Sequence, residues 1–467
     1  MNIFKRLYCR IFQLGFKAAL PILPYREPTI LDKLSDIADL LKENGIVTAF
    51  IVTDKGVRGA GIIDLGVKSL IKEGILYKIY DGTAANPTID NVEQARKMYI
   101  DCGANAIIAI GGGSAMDCAK ALGARIVKPK LSVNQMQGLL HIRKKLPLFI
   151  AVPTTAGTGS ETTVAAVITD TAAKHKYPIN DFSLIPHYAV LDPSVTMSMP
   201  KSITATTGMD ALTHAVEAYI GKSTTQQTRA MSEEAVALIS KYLKRAYDNP
   251  KDAEARKGML RAAYCAGVAF TKSYVGYVHA VAHSLGGQYG VAHGLANAVI
   301  LPYFLEEYGN ACAKQLARLA LAAGIANEAE ATDVKATAEK FIEWVRQLNK
   351  SMNIPSFISG IKEEDIPTLA KHADAEGNPL YPVPKLMDKD ELAVMYKIIG
   401  NKGKEAGKSS ASKPVAEKKL PAKQPAKKPS ASKSGVNKQA AKKTAAKPAA
   451  KKAAPAKKNN NSKGLNK

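Results

Sequence analysis

Between residues 46 and 193 the chain alternates short, nearly unbroken apolar runs with stretches whose apolar residues recur every three or four positions. IVTAFIVTD (46–54), ILYKIYDG (75–82), NAIIAIGGGS (105–114), PLFIAVPTT (147–155) and YAVLDP (188–193) read as strands. IDNVEQARKMYIDCG (89–103) and SAMDCAKALGAR (114–125) read as helices. Strands apolar on both sides need cover on both, which predicts a parallel sheet between helical layers. After LDPSV (191–195) the period becomes helical throughout, as in ATTGMDALTHAVEAYI, TRAMSEEAVALISKYLKRAY and CAKQLARLALAAG. The expectation is an α/β, Rossmann-like domain over 25–198 and an all-helical domain over 199–400. A ligand cleft would lie between them, at the carboxyl ends of the strands.

The two ends depart from this pattern. Residues 1–24 contain no acid, and Phe4, Leu7, Tyr8, Ile11 and Phe12 recur at helical spacing. A targeting or membrane-surface helix has such a basic amphipathic face; the simpler expectation is a helix packed on its own protein. No small-residue cleavage site follows, which argues against a secretory signal. Residues 401–467 are mostly Lys, Ala, Pro, Ser and Asn without one aromatic, a composition that predicts disorder.

Charge and cysteine content narrow the function classes. The net charge of +24 suggests nucleic-acid binding until it is located. Twenty lysines and two glutamates lie from Asn401 onward, which leaves 45 basic against 39 acidic side chains in the body. No apolar run is long enough to span a bilayer. Five scattered cysteines predict free thiols in a reducing, cytoplasmic compartment.

Two glycine-rich loops end consecutive strands. In AIGGGSAMD a strand runs through Gly111, Gly112 and Gly113 into a helix near Ser114, a geometry that lets backbone N–H groups meet a phosphate. PTTAGTGSE (153–161) offers hydroxyls and amides for the ribose or nicotinamide side. Asp54 ends its strand, where a carboxylate accepts from a ribose diol and repels a 2′-phosphate, favouring NAD over NADP. Further on, Asp210 and His214 in GMDALTHAVEAYI are one helical turn apart, as are His279 and His283 in HAVAHSLGGQYGVAHG; His293 follows a Gly-Gly bend. Asp210, His214, His279 and His293 form one hard oxygen and three imidazoles, a set suited to Fe, Zn, Co or Ni.

GGGSAMDCAK, PTTAGTGSE, GMDALTHAVEAYI and HAVAHSLGGQYGVAHGLANAVILP, in this order over roughly residues 25–400, resemble the iron-containing (group III) alcohol dehydrogenases. The resemblance implies an N-terminal dinucleotide-binding domain, a helical C-terminal domain and one metal between them, usually Fe(II). It implies Asp210, His214, His279 and His293 as ligands, with His283 near the nicotinamide and substrate without binding the metal. It places Gly111, Gly112, Gly113 and Ser114 at the pyrophosphate, followed by Asp117, with Thr154 and Thr155 in the second cofactor loop. Lys176 is implied as a cofactor contact and Phe270 as pocket wall. Relatives assemble as dimers or larger homo-oligomers.

The expected reaction is reversible oxidation of a primary alcohol to an aldehyde with NAD, the metal acting as Lewis acid and His283 as proton relay. Rivals on the same fold are a hydroxyacid–oxoacid transhydrogenase and a Zn-dependent glycerol-type dehydrogenase. A rival of another class is polyanion or nucleic-acid binding by the lysine-rich tail. Phe270, Tyr274 and Tyr277 are candidate pocket aromatics, and GNPLYPVPKLM (377–387) a candidate cover for the cleft.

Overall fold

The computed structural model describes residues 1–173 and 175–401; the disordered, polyanion-binding tail expected over 401–467 lies outside them from residue 402 onward. Among the described residues, nine strands form two sheets. The larger runs β1 (Thr29–Leu31), β9 (Tyr188–Val190), β6 (Leu148–Pro153), β4 (Ala106–Gly111), β2 (Thr48–Val52), β3 (Leu76–Tyr80), with every pairing parallel. The smaller one, absent from the sequence reading, is β5 (Gly138–Leu139), β8 (His175–Asn180) and β7 (Ala165–Asp170). Alternate residues of the central strands enter different cores. Phe50, Ile107 and Phe149 join one with Val92 and Leu122, while Ile51, Ile108 and Ile150 join another with Leu41 and Leu70. Two buried faces explain why these strands read as continuous apolar runs rather than as alternation.

Five helices follow or precede these strands: α2 (Asp36–Glu43), α3 (Lys55–Gly59), α4 (Ile62–Lys72), α5 (Ile89–Asp101) and α6 (Gly113–Val127). The chain leaves β2 for the edge strand β3 and returns to β4 on the other side of β2. That reversal opens a crevice at the carboxyl ends of β2 and β4, beside Asp54 and Gly111.

From Lys201 onward the described chain is helical: α7 (Lys201–Ile220), α8 (Gln226–Asp248), α9 (Ala253–Ser273), α10 (Tyr277–Tyr289), α11 (His293–Tyr308), α12 (Ala313–Ala322), α13 (Val334–Ser351), α14 (Ile366–Gly377) and α15 (Lys389–Asn401). α7 is buried on every side, from Gly208 through Ile220, so it is the axis of this half and not a surface helix. Polar residues on it, Asp210, His214 and Glu217, are therefore carried into the interior.

The N-terminal helix α1 (Ile3–Ala19) does pack on its own protein, but through the opposite face from the one its apolar stripe implies. Cys9 and Gln13 are its buried residues, whereas Ile3, Phe4, Leu7, Tyr8, Ile11 and Leu14 are exposed. No described helix is long and apolar enough to cross a membrane.

Candidate metal centre and dinucleotide cleft

Four donors from three helices converge. Asp210 and His214 project from α7, His279 from the first turn of α10 and His293 from the first residue of α11, and their ligand atoms all lie within 4.8 Å of one another. The approach of α11 to α7 requires Gly294, because a Cβ there would stand 2.5 Å from the Thr206 carbonyl oxygen. The rings pack face to face, His214 on His279 at 4.6 Å between centroids and His214 on Phe270 at 4.2 Å. Phe270, expected as pocket wall, lies against a ring of this cluster.

The donor set fits a dication. Burial, with mutual repulsion among the rings, holds His214 and His279 below the usual imidazole range and brings His293 down to about 4. Neutral rings with free lone pairs are what a metal needs. Asn297 Nδ2 lies 2.7 Å from Asp210 Oδ1 and 3.1 Å from Nε2 of both His279 and His293. An amide nitrogen has two hydrogens and cannot serve three acceptors. The surplus of lone pairs around one point is the signature of a cation site.

Glu217, which sequence reasoning missed, orients one ligand. Its Oε2 is 2.5 Å from His279 Nδ1, and its Oε1 accepts from the Val278 N–H at 2.9 Å. A carboxylate on Nδ1–H leaves the Nε2 lone pair facing the cluster. Burial pushes Glu217 up to about 8, against the pull of the Gly276, Val278 and His279 backbone N–H groups. Positive charge beyond the ring favours its ionised form.

His283, one turn after His279, stands aside from the ligand set. Its ring stacks on His293 at 5.1 Å, and its Nδ1 is 2.7 Å from Glu376 Oε1, which also accepts from the Tyr381 hydroxyl at 2.7 Å. Burial lowers the His283 value, but the Glu376 carboxylate outweighs this and raises it. The side chains of His283 and His293 are 46 % and 39 % exposed against 3 % for Asp210, so the cluster opens on their side. Tyr381 belongs to the 377–387 segment, in which Tyr381 through Pro384 are buried. Tyr277 is core as well, fully buried with its hydroxyl on Asn378 and Met387, and Tyr274 meets Phe16 of α1 edge-on at 4.8 Å.

At the other end the two glycine-rich loops face each other. A Cβ on Gly112 would meet Thr155 Oγ1 at 3.4 Å, and one on Gly113 would meet Thr158 Cγ2 at 3.2 Å, so the missing side chains leave a cradle above the first turn of α6. The Thr155 hydroxyl is buried there with no hydrogen-bond partner, an orphan that a bound dinucleotide would satisfy. Thr154 donates its N–H to the Gly111 carbonyl at 3.0 Å. Asp54 caps α3 through Oδ1, accepting from Gly56 and Val57, and its Oδ2 faces Gly111. Ser114 is half-buried with its hydroxyl on the Ala85 carbonyl, and Lys176 reaches Asn86 Oδ1 at 2.9 Å.

Asp117 is placed differently from its neighbours in the motif. It is spent beneath the loop, accepting from Ser160 Oγ at 3.0 Å and from the Val167 N–H at 3.1 Å. Lys120 does related work: its buried ammonium donates to the carbonyls of Ser160, Thr163 and Ala165 and contacts the hydroxyls of Ser160 and Thr163. The loop so fixed also touches α7, since a Cβ on Gly157 would strike Thr207 at 2.6 Å. Cradle and cluster are therefore built against one another.

Residues 30–193 match the model for iron-containing alcohol dehydrogenase, and residues 204–399 the model for the C-terminal part of the Fe-containing alcohol dehydrogenase family. The chain belongs to the iron-containing alcohol dehydrogenase family. It is 36 % identical over 342 residues to the NAD-dependent methanol dehydrogenase of Bacillus methanolicus, covering 73 % of this chain and 89 % of that one. It is 39 % identical over 373 residues to alcohol dehydrogenase 4 of Schizosaccharomyces pombe, covering 78 % and 85 %. Among solved structures, a 1,3-propanediol oxidoreductase superposes with a TM-score of 0.76 at 34 % identity, over 80 % of this chain and 99 % of the other.

Proposed function

We propose that this oxidoreductase is a metal-dependent, NAD-linked alcohol dehydrogenase that reversibly oxidises a small primary alcohol to an aldehyde, in a reducing, cytoplasmic setting supported by five free thiols. The observation that carries the reading is the convergence of Asp210, His214, His279 and His293 beside a preformed phosphate cradle. Residues 25–198 supply the cradle and 199–400 the ligands. Fe(II), or Zn(II) in its place, supplies Lewis acidity to the alcohol oxygen when bound.

The chain's own residues do the rest. Gly111, Gly112, Gly113 and Ser114 seat the pyrophosphate on the α6 N-terminus, Thr154 and Thr155 border the nicotinamide side, and Asp54 Oδ2 accepts from the ribose diol. Asp117 acts through the loop it anchors, and Lys176 adds positive charge at the rim. His283, open to the cleft and held by Glu376, takes the hydroxyl proton at Nε2. Phe270 walls the substrate side and excludes water. The relatives' names support a short alcohol and a homo-oligomeric assembly is the family's habit; the lysine-rich tail is proposed as a separate contact for polyanions. Chelation should abolish alcohol-dependent NADH formation and Fe(II) should restore it. Full turnover in metal-free protein would overturn the reading.

A further inference from the structure

Helices on the surface of a soluble domain bury their apolar stripe. α1 does the reverse. At about 100° per residue, Ile3, Phe4, Leu7, Tyr8, Ile11 and Leu14 share one side of the helix and are 58–77 % exposed, with Phe12 beside them at 41 %. Arg6, Arg10 and Lys17 border one edge of that stripe and Lys5 the other, and the helix carries no acid. The inward side is polar. Gln13, 4 % exposed, donates to the carbonyls of Pro379 at 3.1 Å and Tyr381 at 2.8 Å. Arg10 donates to those of Val383 at 2.8 Å and Pro384 at 3.0 Å, and Lys5 pairs with Asp374 at 2.7 Å. Cys9 is buried and Phe16 meets Tyr274 edge-on, completing the seat. These bonds fix rotation about the helix axis, so the stripe cannot turn inward without stripping Gln13 and Arg10 of buried partners.

Seven large apolar side chains exposed side by side form the kind of contiguous patch, rimmed by charge, that marks an interaction surface. We propose that the outward face of α1 seats this enzyme on an anionic lipid surface, lying in the headgroup plane. Aromatic and aliphatic side chains flanked by basic residues suit that boundary. A second copy is the poorer occupant: Asp374 offsets Lys5 and Glu391 stands 4.0 Å from Arg6, but a two-fold pairing through α1 would still bring together edges on which Arg10 and Lys17 carry uncompensated positive charge. The helix, 17 residues with four cations, lies on a membrane and does not span it. The 20 lysines of residues 401–467 add a second attraction to the same charge, on the two-signal principle of peripheral anchoring.

The test is flotation of the full chain with vesicles of phosphatidylcholine mixed with phosphatidylglycerol, followed by a wash in about 1 M salt, where the Debye length is about 3 Å. Electrostatic contacts of the tail are released by the wash, while inserted apolar side chains remain. The wild type should stay on these vesicles and bind pure phosphatidylcholine poorly. The Phe4→Ser/Leu7→Ser/Ile11→Ser variant should lose salt-resistant partitioning by ~100-fold or more, with turnover and circular dichroism unchanged. The single Leu7→Glu variant carries the same test should the triple substitution lower the yield of folded protein. Complete release of the wild type by salt overturns the proposal, leaving the tail as the only contact. So does equal retention of both proteins, or a variant whose oligomeric mass falls while its vesicle binding is unaltered.

Discussion

Replacing Glu217 by glutamine removes one charge and almost no volume, yet it should loosen the metal. In the native site both carboxylate oxygens face donors, the Val278 N–H and His279 Nδ1–H. Glutamine has one acceptor and one donor group, so its NH₂ must oppose one of those two. If it opposes Val278, a buried backbone N–H is left without an acceptor. If it opposes His279, the ring escapes by moving its proton to Nε2, which aims a hydrogen at the ion. Loss of such an outer partner typically weakens metal binding 10- to 100-fold, or about 1.4–2.7 kcal/mol. Competition against a chelator of known strength measures the affinity, and turnover at saturating Fe(II) measures what survives. The expected outcome for Glu217→Gln is a weaker metal constant, with much of kcat recovered at high metal and an unchanged KM for NAD. An unchanged metal constant would show that Glu217 merely fills space, and the tautomer argument would fail.

Three further outcomes follow from the geometry. Asp54→Ser keeps an acceptor for the α3 cap but removes the charge beside Gly111; it should narrow the NAD-over-NADP preference roughly tenfold, and a wild type that uses both equally refutes the ribose argument. Gly113→Ala places a methyl group 3.2 Å from Thr158 Cγ2, and overpacking of about 1–3 kcal/mol should raise KM for NAD about tenfold or more while metal content stays constant. His187, held neutral between β6 and β9, is lowered from 6.5 to about 4, first by burial and then by Arg26 and Lys145. Its folded value lies below its unfolded one, so stability is lost as pH falls from about 6.5 to about 4, by about 1–2 kcal/mol once partial solvent contact is allowed for. His187→Asn, which still accepts from the Phe149 N–H, should flatten that acid limb in denaturant titrations; parallel limbs would remove His187 as the cause.

The metal ligands were legible because helices are regular: an i, i+4 spacing puts Asp210 and His214, and separately His279 and His283, on one face whatever the rest of the fold does. The glycine loops were legible because clustered glycines at a strand end mark close approach: a Cβ on Gly111 would stand 2.5 Å from Ala115 Cβ. Glu217 stands seven residues after Asp210 and shares its face, but an acid on a helix ordinarily signals solvent, and it is buried by segments distant in the sequence, the start of α10 at Val278 and His279 among them. Glu376 and Tyr381 lie some ninety residues from His283, beyond the reach of any periodicity. Lys120 likewise reads as surface until loop carbonyls forty residues later close over it. α1 shows the opposite failure, since its stripe was plain in the sequence but the side it faces is set by Gln13 and Arg10 finding carbonyls in a distant segment.

The buried Lys120 ammonium has a consequence for how the enzyme starts each cycle. A loop whose far end has five oxygens gathered by one ammonium and a hydroxyl held by Asp117 has little ordering left to do when a dinucleotide arrives. Capture should therefore resemble a key entering a cut lock, fast and with little heat-capacity change beyond that of the surfaces that meet, and slow steps must be sought in the chemistry or in product departure.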